Sequence, residues 1–120
     1  METRELLRES WTAMFDSLSR IYSGSTATLE ILDGELGAQM EVEDRPLSGI
    51  TCDGSGIEMI FVMRDGRRLA HRITTPQRVQ IEERDNGFIA AIGIVSSLEL
   101  ETILRLHEPL PSKLLPRGSS

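Results

Sequence analysis

The segment RDGRRLAHRITTPQRVQIEERDNGF, residues 64–88, decides the fold because it places two tight-turn signals around strand-like sequence. Asp65-Gly66 and Asn86-Gly87 lie between apolar runs, and such pairs favour the primed turns of β-hairpins because these turns need positive φ. The alternation of apolar and polar residues in RVQIEER, residues 78–84, is typical of a half-buried strand. The segment therefore predicts two consecutive antiparallel hairpins.

Further strands are predicted on both sides of these turns. Two-residue periodicity and apolar runs place the strands near residues 27–31, 39–43, 50–52, 57–63, 68–74, 78–84, 88–95 and 101–107. Glycine-containing loops at 33–37 and 53–56 join four of them. The runs IEMIFVM and FIAAIGIV are apolar on both faces, which indicates central strands.

The fold class that this pattern predicts is α+β and mainly β. Strands and helices do not alternate, which disfavours a parallel sheet and favours an antiparallel meander of about six to eight strands. Its edges must be closed, covered or paired. The sequence leaves two solutions open, a strongly curled or barrel-like sheet and a homodimer that pairs its edges.

One amphipathic helix is predicted at the N-terminus, over about residues 4–23. Its apolar residues recur at spacings of three and four and are Leu7, Trp11, Met14, Phe15, Leu18, Ile21 and Tyr22. Gly24 supplies the C-terminal stop. Either Thr3 or Ser10 could be the N-cap, and Ser10 would make the helix begin at Trp11.

Length and composition predict a single cytoplasmic domain over residues 1–108. The 120 residues suit one core, the longest apolar run is too short to cross a membrane, and the charged N-terminus is unlike a secretory signal. Pro109 and Pro111 suit neither a helix nor a central strand, so we expect a mobile tail over 109–120. Its last seven residues, LLPRGSS, resemble a thrombin cleavage site left by an expression vector.

The same composition argues against several classes of partner. A net charge of −6 disfavours general nucleic-acid binding, which depends on clustered cations. One cysteine and two histidines give no zinc-binding spacing, so we expect neither a metal nor another cofactor. The expected partners are a second copy of the chain or another protein.

The order of several short segments resembles a small family of bacterial proteins of unknown function. The segments that carry the resemblance are GAQ at 37–39, PLSGI at 46–50 and HRITTP at 71–76, within SWTAMFDSLSR, GAQMEVEDRPLSGITCD and LAHRITTPQRVQIEE. The resemblance implies a bacterial cytoplasmic setting and no particular reaction.

A cluster of basic residues is the first candidate for a ligand site. Arg64, Arg67, Arg68 and Arg72 surround one predicted turn together with His71, and Arg78 follows in the next strand. Guanidinium groups bind phosphate and carboxylate, so the cluster could hold an anion. The alternative is a solvated hairpin whose arginines pair with Glu41, Glu43 or Glu82.

Cys52 and His71 are weaker candidates for catalysis. A nucleophilic Cys52 would need a base such as His71 within hydrogen-bond reach, whereas a buried free cysteine is usually inert packing. The adjacent DGSG, residues 53–56, lacks both the spacing of a serine hydrolase elbow and the Lys-Ser/Thr of a phosphate-binding loop, so it is interpreted as a turn.

Three functions remain open from sequence. The leading one is a non-catalytic interaction or accessory domain that associates with itself through strand edges or faces. The second is a module that binds a small molecule or anion through Arg64, Arg67, Arg68, His71 and Arg72. The third is an enzyme that uses Cys52 and His71.

Overall fold

The computed structural model of the chain describes residues 2–96, 100–111 and 113, which form one helix and eight strands. The helix α1 spans Trp11–Tyr22 and follows a short 3-10 turn at Arg8–Ser10. The strands are β1 (Glu2–Leu6), β2 (Thr26–Asp33), β3 (Gly37–Asp53), β4 (Gly56–Val62), β5 (Arg68–Thr74), β6 (Pro76–Glu83), β7 (Phe88–Ser96) and β8 (Leu100–Pro111). The α+β, mainly β class is therefore confirmed.

The strands form one antiparallel sheet in the order β1-β6-β7-β8-β2-β3-β4-β5. Within the part of the chain that the structure describes, β1 pairs only with β6 and β5 only with β4, so the sheet is open. Closure into a barrel is thus not confirmed. The two runs predicted as central strands became β4 and β7, and each has a neighbour on both sides.

Strand β3 connects the two halves of the sheet. From Gly37 to Pro46 it pairs with β2, and from Leu47 to Asp53 it pairs with β4. Register shifts mark both ladders, and Asp44 takes a positive φ of 49° where the strand bends. Such bulges bend a strand and increase its twist, which here redirects β3 away from β2 and onto β4.

The helix packs on β3 and supplies one side of a continuous core. Its apolar stripe is buried as predicted at Trp11, Met14, Phe15, Leu18 and Tyr22. The Trp11 Nε1–H donates to the Leu6 carbonyl at 3.3 Å. Leu7 and Ile21, which the same periodicity assigned to the stripe, are 46% and 38% exposed, so their predicted burial was wrong.

The helix starts later than the range 4–23 predicted, at Trp11, with Ser10 as the N-cap residue. Residues 2–6 are strand β1 instead, held in register with β6 from Glu2 opposite Glu83 to Leu6 opposite Val79. These pairings are distant in sequence, so no local pattern within residues 2–6 indicates them. Gly24, with φ of 88°, ends the helix as expected.

Both hairpins of the opening segment are present, but their turns are not of the primed type. Gly66 donates to the Met63 carbonyl at 3.0 Å, and Gly87 donates to the Arg84 carbonyl at 2.9 Å. Only the glycine of each pair has a positive φ, 86° for Gly66 and 82° for Gly87, whereas Asp65 and Asn86 have a negative φ. Each turn is therefore a three-residue loop that ends in a G1 β-bulge. This loop also favours glycine, at its last residue.

Strand β8 continues past the predicted domain end near His107. It reaches Pro111, which lies opposite Phe88, and Leu110 opposite Ile89 is buried. Pro109 is tolerated because the pairing of β8 with β7 is irregular there. On its other side, β8 pairs with β2 only as far as Leu106, so Pro109 has no β2 residue opposite it. Residues 109–111 of the predicted tail are therefore part of β8, and residues 112 and 114–120 lie outside the described part.

Candidate functional site

A surface groove opens where β3 and β4 separate. The last residues that pair are Leu47 and Phe61, and Pro46, which has no N–H to donate, comes next on β3. The Arg45 side chain bridges the gap, since its Nε–H donates to the Val62 carbonyl at 3.0 Å. We call this cavity of about 620 Å³ the arginine groove; it is lined by Glu41, Val42, Glu43, Arg45, Met63, Arg64, Asp65, Arg67, Arg68 and Leu69.

The β4–β5 turn forms the basic wall of the arginine groove. Asp65 organises it: its Oδ1 accepts the Arg67 backbone N–H at 3.0 Å, and its Oδ2 lies 2.6 Å from Arg67 Nε. These two contacts with Arg67 lower the pKa of the exposed Asp65 carboxyl below its usual value. Arg67 is therefore already paired within its own turn.

Arg64 and Arg68 are the two arginines of the groove that remain available. Neither forms an ion pair or side-chain hydrogen bond with any residue that the structure describes, and both are exposed. The predicted pairing with Glu41, Glu43 or Glu82 does not form among those residues, although Glu41 and Glu43 line the same groove. Two guanidinium groups can thus meet a ligand without first breaking a contact.

The unpaired backbone of β3 borders the same groove. From Gly37 to Asp44 the strand has β2 on one side, and among the described strands none lies on its other side. Such an edge presents backbone donors and acceptors that can pair with another chain. The groove therefore combines a free strand edge with free guanidinium groups.

The other predicted ligand residues lie elsewhere. Arg72 binds the β3–β4 turn, where its Nη2 donates to Ser55 Oγ and lies 3.4 Å from Asp53 Oδ1. Arg78 Nη1 lies 3.9 Å from Glu5 Oε1 of β1. Alternation along β5 turns the His71 side chain away from Arg68, and His71 lines a separate small cavity that Arg72 also borders.

Cys52 lies in a different cleft from His71. The Cys52 cleft, about 750 Å³, lies between the start of α1, the β3–β4 turn and the start of β6, whereas the His71 cavity is lined by β2, β5, β7 and β8. In the sheet, Cys52 is opposite Ile57, and His71 is opposite Met59. Cys52 and His71 are thus two strands apart, about 10 Å, too far for a hydrogen bond.

The environment of the Cys52 thiol favours its protonated form. Burial raises the pKa of the thiol, and a hydrogen bond with the Thr12 side chain opposes that rise in part. The nearest basic group in the cleft, Arg8, stacks on the Trp11 ring at 4.7 Å and donates to the Pro76 carbonyl at 3.5 Å. A thiolate nucleophile is not what this arrangement stabilises.

Arg45 and Arg8 are the two arginines of the arginine groove and the Cys52 cleft that sequence reasoning did not select. Arg45 precedes a proline, and a proline in a strand-like run signals a break in strand pairing. That signal could have pointed to the groove. Nothing in the sequence indicates that Arg8 would stack on Trp11 across the start of α1.

The described residues contain neither a cluster of metal-binding side chains nor a membrane-spanning helix. In residues 2–96, 100–111 and 113, no group of three or more His, Cys, Asp or Glu side chains is arranged to hold a metal ion. Over the same residues, no helix has the length and apolarity needed to span a membrane.

Comparisons with known proteins agree with the predicted resemblance. An uncharacterised protein of Aquifex aeolicus (strain VF5) is 32% identical over 111 residues, which cover 92% of this chain and 97% of that protein. No solved structure matches the chain significantly. Residues 2–114 match DUF5335, a family of unknown function. The chain therefore belongs to the DUF5335 family of unknown function.

Proposed function

We propose that the protein is a non-catalytic interaction domain, and that it binds an extended, acidic protein segment in the arginine groove. The observation that carries the proposal is the free backbone edge of β3, from Gly37 to Asp44, beside the unpaired Arg64 and Arg68. An added strand gains main-chain hydrogen bonds from such an edge, and pockets beside it select the side chains.

The charges of the groove favour carboxylates in the bound segment. Four arginines and the three carboxylates of Glu41, Glu43 and Asp65 line it, a balance of +4 − 3 = +1. Asp65 is paired with Arg67 in the turn. Glu41 and Glu43 line the groove but pair with none of its arginines among the described residues, so Arg64 and Arg68 are free to bind carboxylates of the ligand.

The non-catalytic part of the proposal rests on Cys52 and His71. The separation of these two residues and the raised pKa of the Cys52 thiol leave the sequence-based enzyme hypothesis without its nucleophile and base pair. We place the domain in the cytoplasm as part of the same proposal, because a free thiol fits a reducing compartment.

The test is a binding titration with the full chain and an extended peptide of alternating Glu and Val residues. We expect binding that weakens with salt, and at least about a tenfold loss of affinity in the Arg64→Glu/Arg68→Glu variant. Arg84→Glu is the matched control, because Arg84 is an exposed arginine of the other hairpin.

Two outcomes of this titration would contradict the proposal. A peptide with Gln in place of Glu that binds equally well would remove the role of the carboxylates. An equal loss of affinity in the Arg84→Glu control would show a general effect of charge rather than a site.

A second candidate function is the binding of a small anion, and the unpaired state of Arg64 and Arg68 favours it. Citrate or inorganic phosphate should then raise the melting temperature of the parent chain, and Arg64→Ala with Arg68→Ala should abolish that rise. His71 and Arg72 lie outside the groove, so Arg72→Ala alone should leave it intact. If neither anion raises the melting temperature, this second function is excluded.

A further inference from the structure

The β2–β3 hairpin carries the two most exposed large apolar side chains of the described residues. Leu36 is 70% exposed and Met40 is 55% exposed, against 46% and 38% for Leu7 and Ile21. Leu36 lies in the turn itself, and Met40 lies on the free half of β3. Apolar surface at a free strand edge is a recognised site of association.

We infer that the partner at the arginine groove is a second copy of this chain, paired antiparallel through the free edge of β3 about a two-fold axis at Met40. This inference rests on the proposed function, and it names the acidic segment as the chain's own β2–β3 turn. A two-fold interface uses the same surface of both copies, so every contact occurs twice.

The register about Met40 sets no like charges directly opposite each other. Gln39 lies next to Glu41 of the second copy, Ala38 next to its Val42 and Gly37 next to its Glu43, and the bulges of β3 between Met40 and Arg45 displace these pairs from direct opposition. The exposed face of Met40 is covered by the same residue of the partner. Like charges directly opposite would be destabilising, and opposed apolar residues are stabilising.

The other free edges suit a second copy less well. Full antiparallel overlap of β1 with itself places Arg4 directly against the same residue of the second copy. Overlap of β5 gathers Arg68 and Arg72 of both copies, four guanidinium groups, on one exposed face. The register of β3 about Met40 also brings Glu41 and Glu43 of both copies to the contact, but of these three edges only β3 carries an exposed large apolar side chain, Met40.

The same register carries the turn of one copy to the arginine groove of the other. With Met40 at the axis, Gly37, the first residue of β3, lies next to Glu43 of the second copy, so the turn that precedes it comes close to Asp44 and Arg45 of that copy. Glu35 is exposed, and its side chain forms no ion pair with any residue that the structure describes. The turn, which carries Glu35 and the exposed Leu36, thus approaches the groove that Arg45, Arg64 and Arg68 line.

Sedimentation of the full chain over a range of concentrations tests the inference. We expect a monomer–dimer equilibrium, and a dissociation constant raised by about tenfold or more in Met40→Asp, which places two carboxylates at the axis. Ile21→Asp is the matched control, because it makes the same kind of change at an exposed site of the helix. An unchanged dissociation constant in the Met40→Asp variant would overturn the inference.

Charge exchange tests the turn-to-groove contact separately. Glu35→Arg and Arg64→Glu should each weaken the dimer, and the double variant should recover most of the loss because both reciprocal contacts are restored with reversed signs. A double variant as weak as the sum of the single variants would contradict the placement of the turn.

The failure of this inference and of the proposed function can be told apart. If the parent chain is monomeric at millimolar concentration but the Glu/Val peptide binds, the second copy is excluded and the groove still recognises acidic segments. If the chain dimerises but binds no Glu/Val peptide at concentrations where it is monomeric, recognition is specific to the chain's own turn and the general function is wrong. If neither occurs, both proposals are wrong.

Discussion

Gly56 shows how strongly one residue constrains the β3–β4 turn. A Cβ at this position would collide with the backbone carbonyl oxygen of Ile73 on β5, which cannot move aside as a flexible side chain would. We expect Gly56→Ala to lower the free energy of unfolding by about 1 to 3 kcal/mol. Gly54→Ala is the control, because its Cβ would meet nothing within 4 Å. Urea denaturation of both variants measures the difference, and equal stabilities would refute the close approach.

The ionisation of Cys52 can be measured directly because the chain has one cysteine. Burial raises the pKa of the thiol, so the folded state holds its proton more tightly than the unfolded chain does. The thiolate should therefore form at a higher pH in the native protein than in urea, where the ordinary value is about 8.5. The protonated thiol therefore stabilises the folded state below about pH 8.5, and this stabilisation is lost as the pH rises through the higher pKa of the native thiol.

Reaction rates with a thiol reagent, followed against pH, check this prediction. The native rate should be slower than the rate in urea and should reach its midpoint at a higher pH. A native midpoint below that of the unfolded chain would mean an activated thiolate, and it would revive the enzyme hypothesis for Cys52.

Individual residues also mark what the sequence could predict about the site. The Asp65-Gly66 turn brought Arg64, Arg67 and Arg68 together, because a turn is a local structure with a local signal. Arg72 was assigned to the same cluster, yet it binds Asp53 and Ser55, which are near it only after β3, β4 and β5 pair. Contacts across strands depend on the final register, and no spacing in the sequence encodes it.

At the scale of elements, Tyr22 joins the end of α1 to β8. Its hydroxyl accepts the Glu108 N–H at 3.0 Å, and its one proton is shared between the carbonyl oxygens of Thr26 and Glu108, each 3.1 Å away. We expect Tyr22→Phe to lower the free energy of unfolding by about 1 kcal/mol, since it leaves the part-buried Glu108 N–H without its acceptor. Ser23→Ala, which removes an exposed hydroxyl next to it, should cost less.

The ionisation of Tyr22 adds a dependence on pH. Burial raises the pKa of its phenol, so the unfolded chain ionises first as the pH increases. The resulting stability is complete below about pH 10 and is lost above it. Unfolding measured on both sides of that value should show a steeper loss for the parent chain than for Tyr22→Phe. Parallel curves would mean that Tyr22 does not hold its proton more tightly when folded.

The elements that the sequence predicted well are those with local signals. Both hairpins, the glycine stop of α1 and the β3–β4 turn depend on short stretches of chain, and all are present. Strand β1 was missed because residues 2–6 contain one apolar residue, Leu6, and show no strand alternation, while their partners in β6 lie more than seventy residues away in sequence. The end of β8 was missed because a proline normally ends a central strand, whereas the pairing of β8 with β7 is irregular around Pro109 and accommodates it.

At the scale of the whole molecule, the open sheet leaves its strands unequally protected. β7, β8 and β2 have neighbours on both sides, while β1 and β5 have one neighbour each among the described strands. The free half of β3 is a third edge inside the sheet order. The number of hydrogen-bonded neighbours should therefore set the order in which backbone amides exchange with solvent.

Hydrogen–deuterium exchange of the full chain tests this order. We expect the amides of β7 and β8 to exchange slowest and those of β1 and β5 to exchange much faster, because half of the edge amides have no ladder partner. Equal protection of β1 and β5 with β8 would mean that those edges are covered and that the sheet closes. The segment Gly37–Asp44 is the most informative, since its amides gain protection with protein concentration if a second copy pairs with β3. Met40→Asp should remove that gain and leave the exchange of β7 and β8 unchanged, whereas a gain that survives in the variant would place the contact between copies elsewhere.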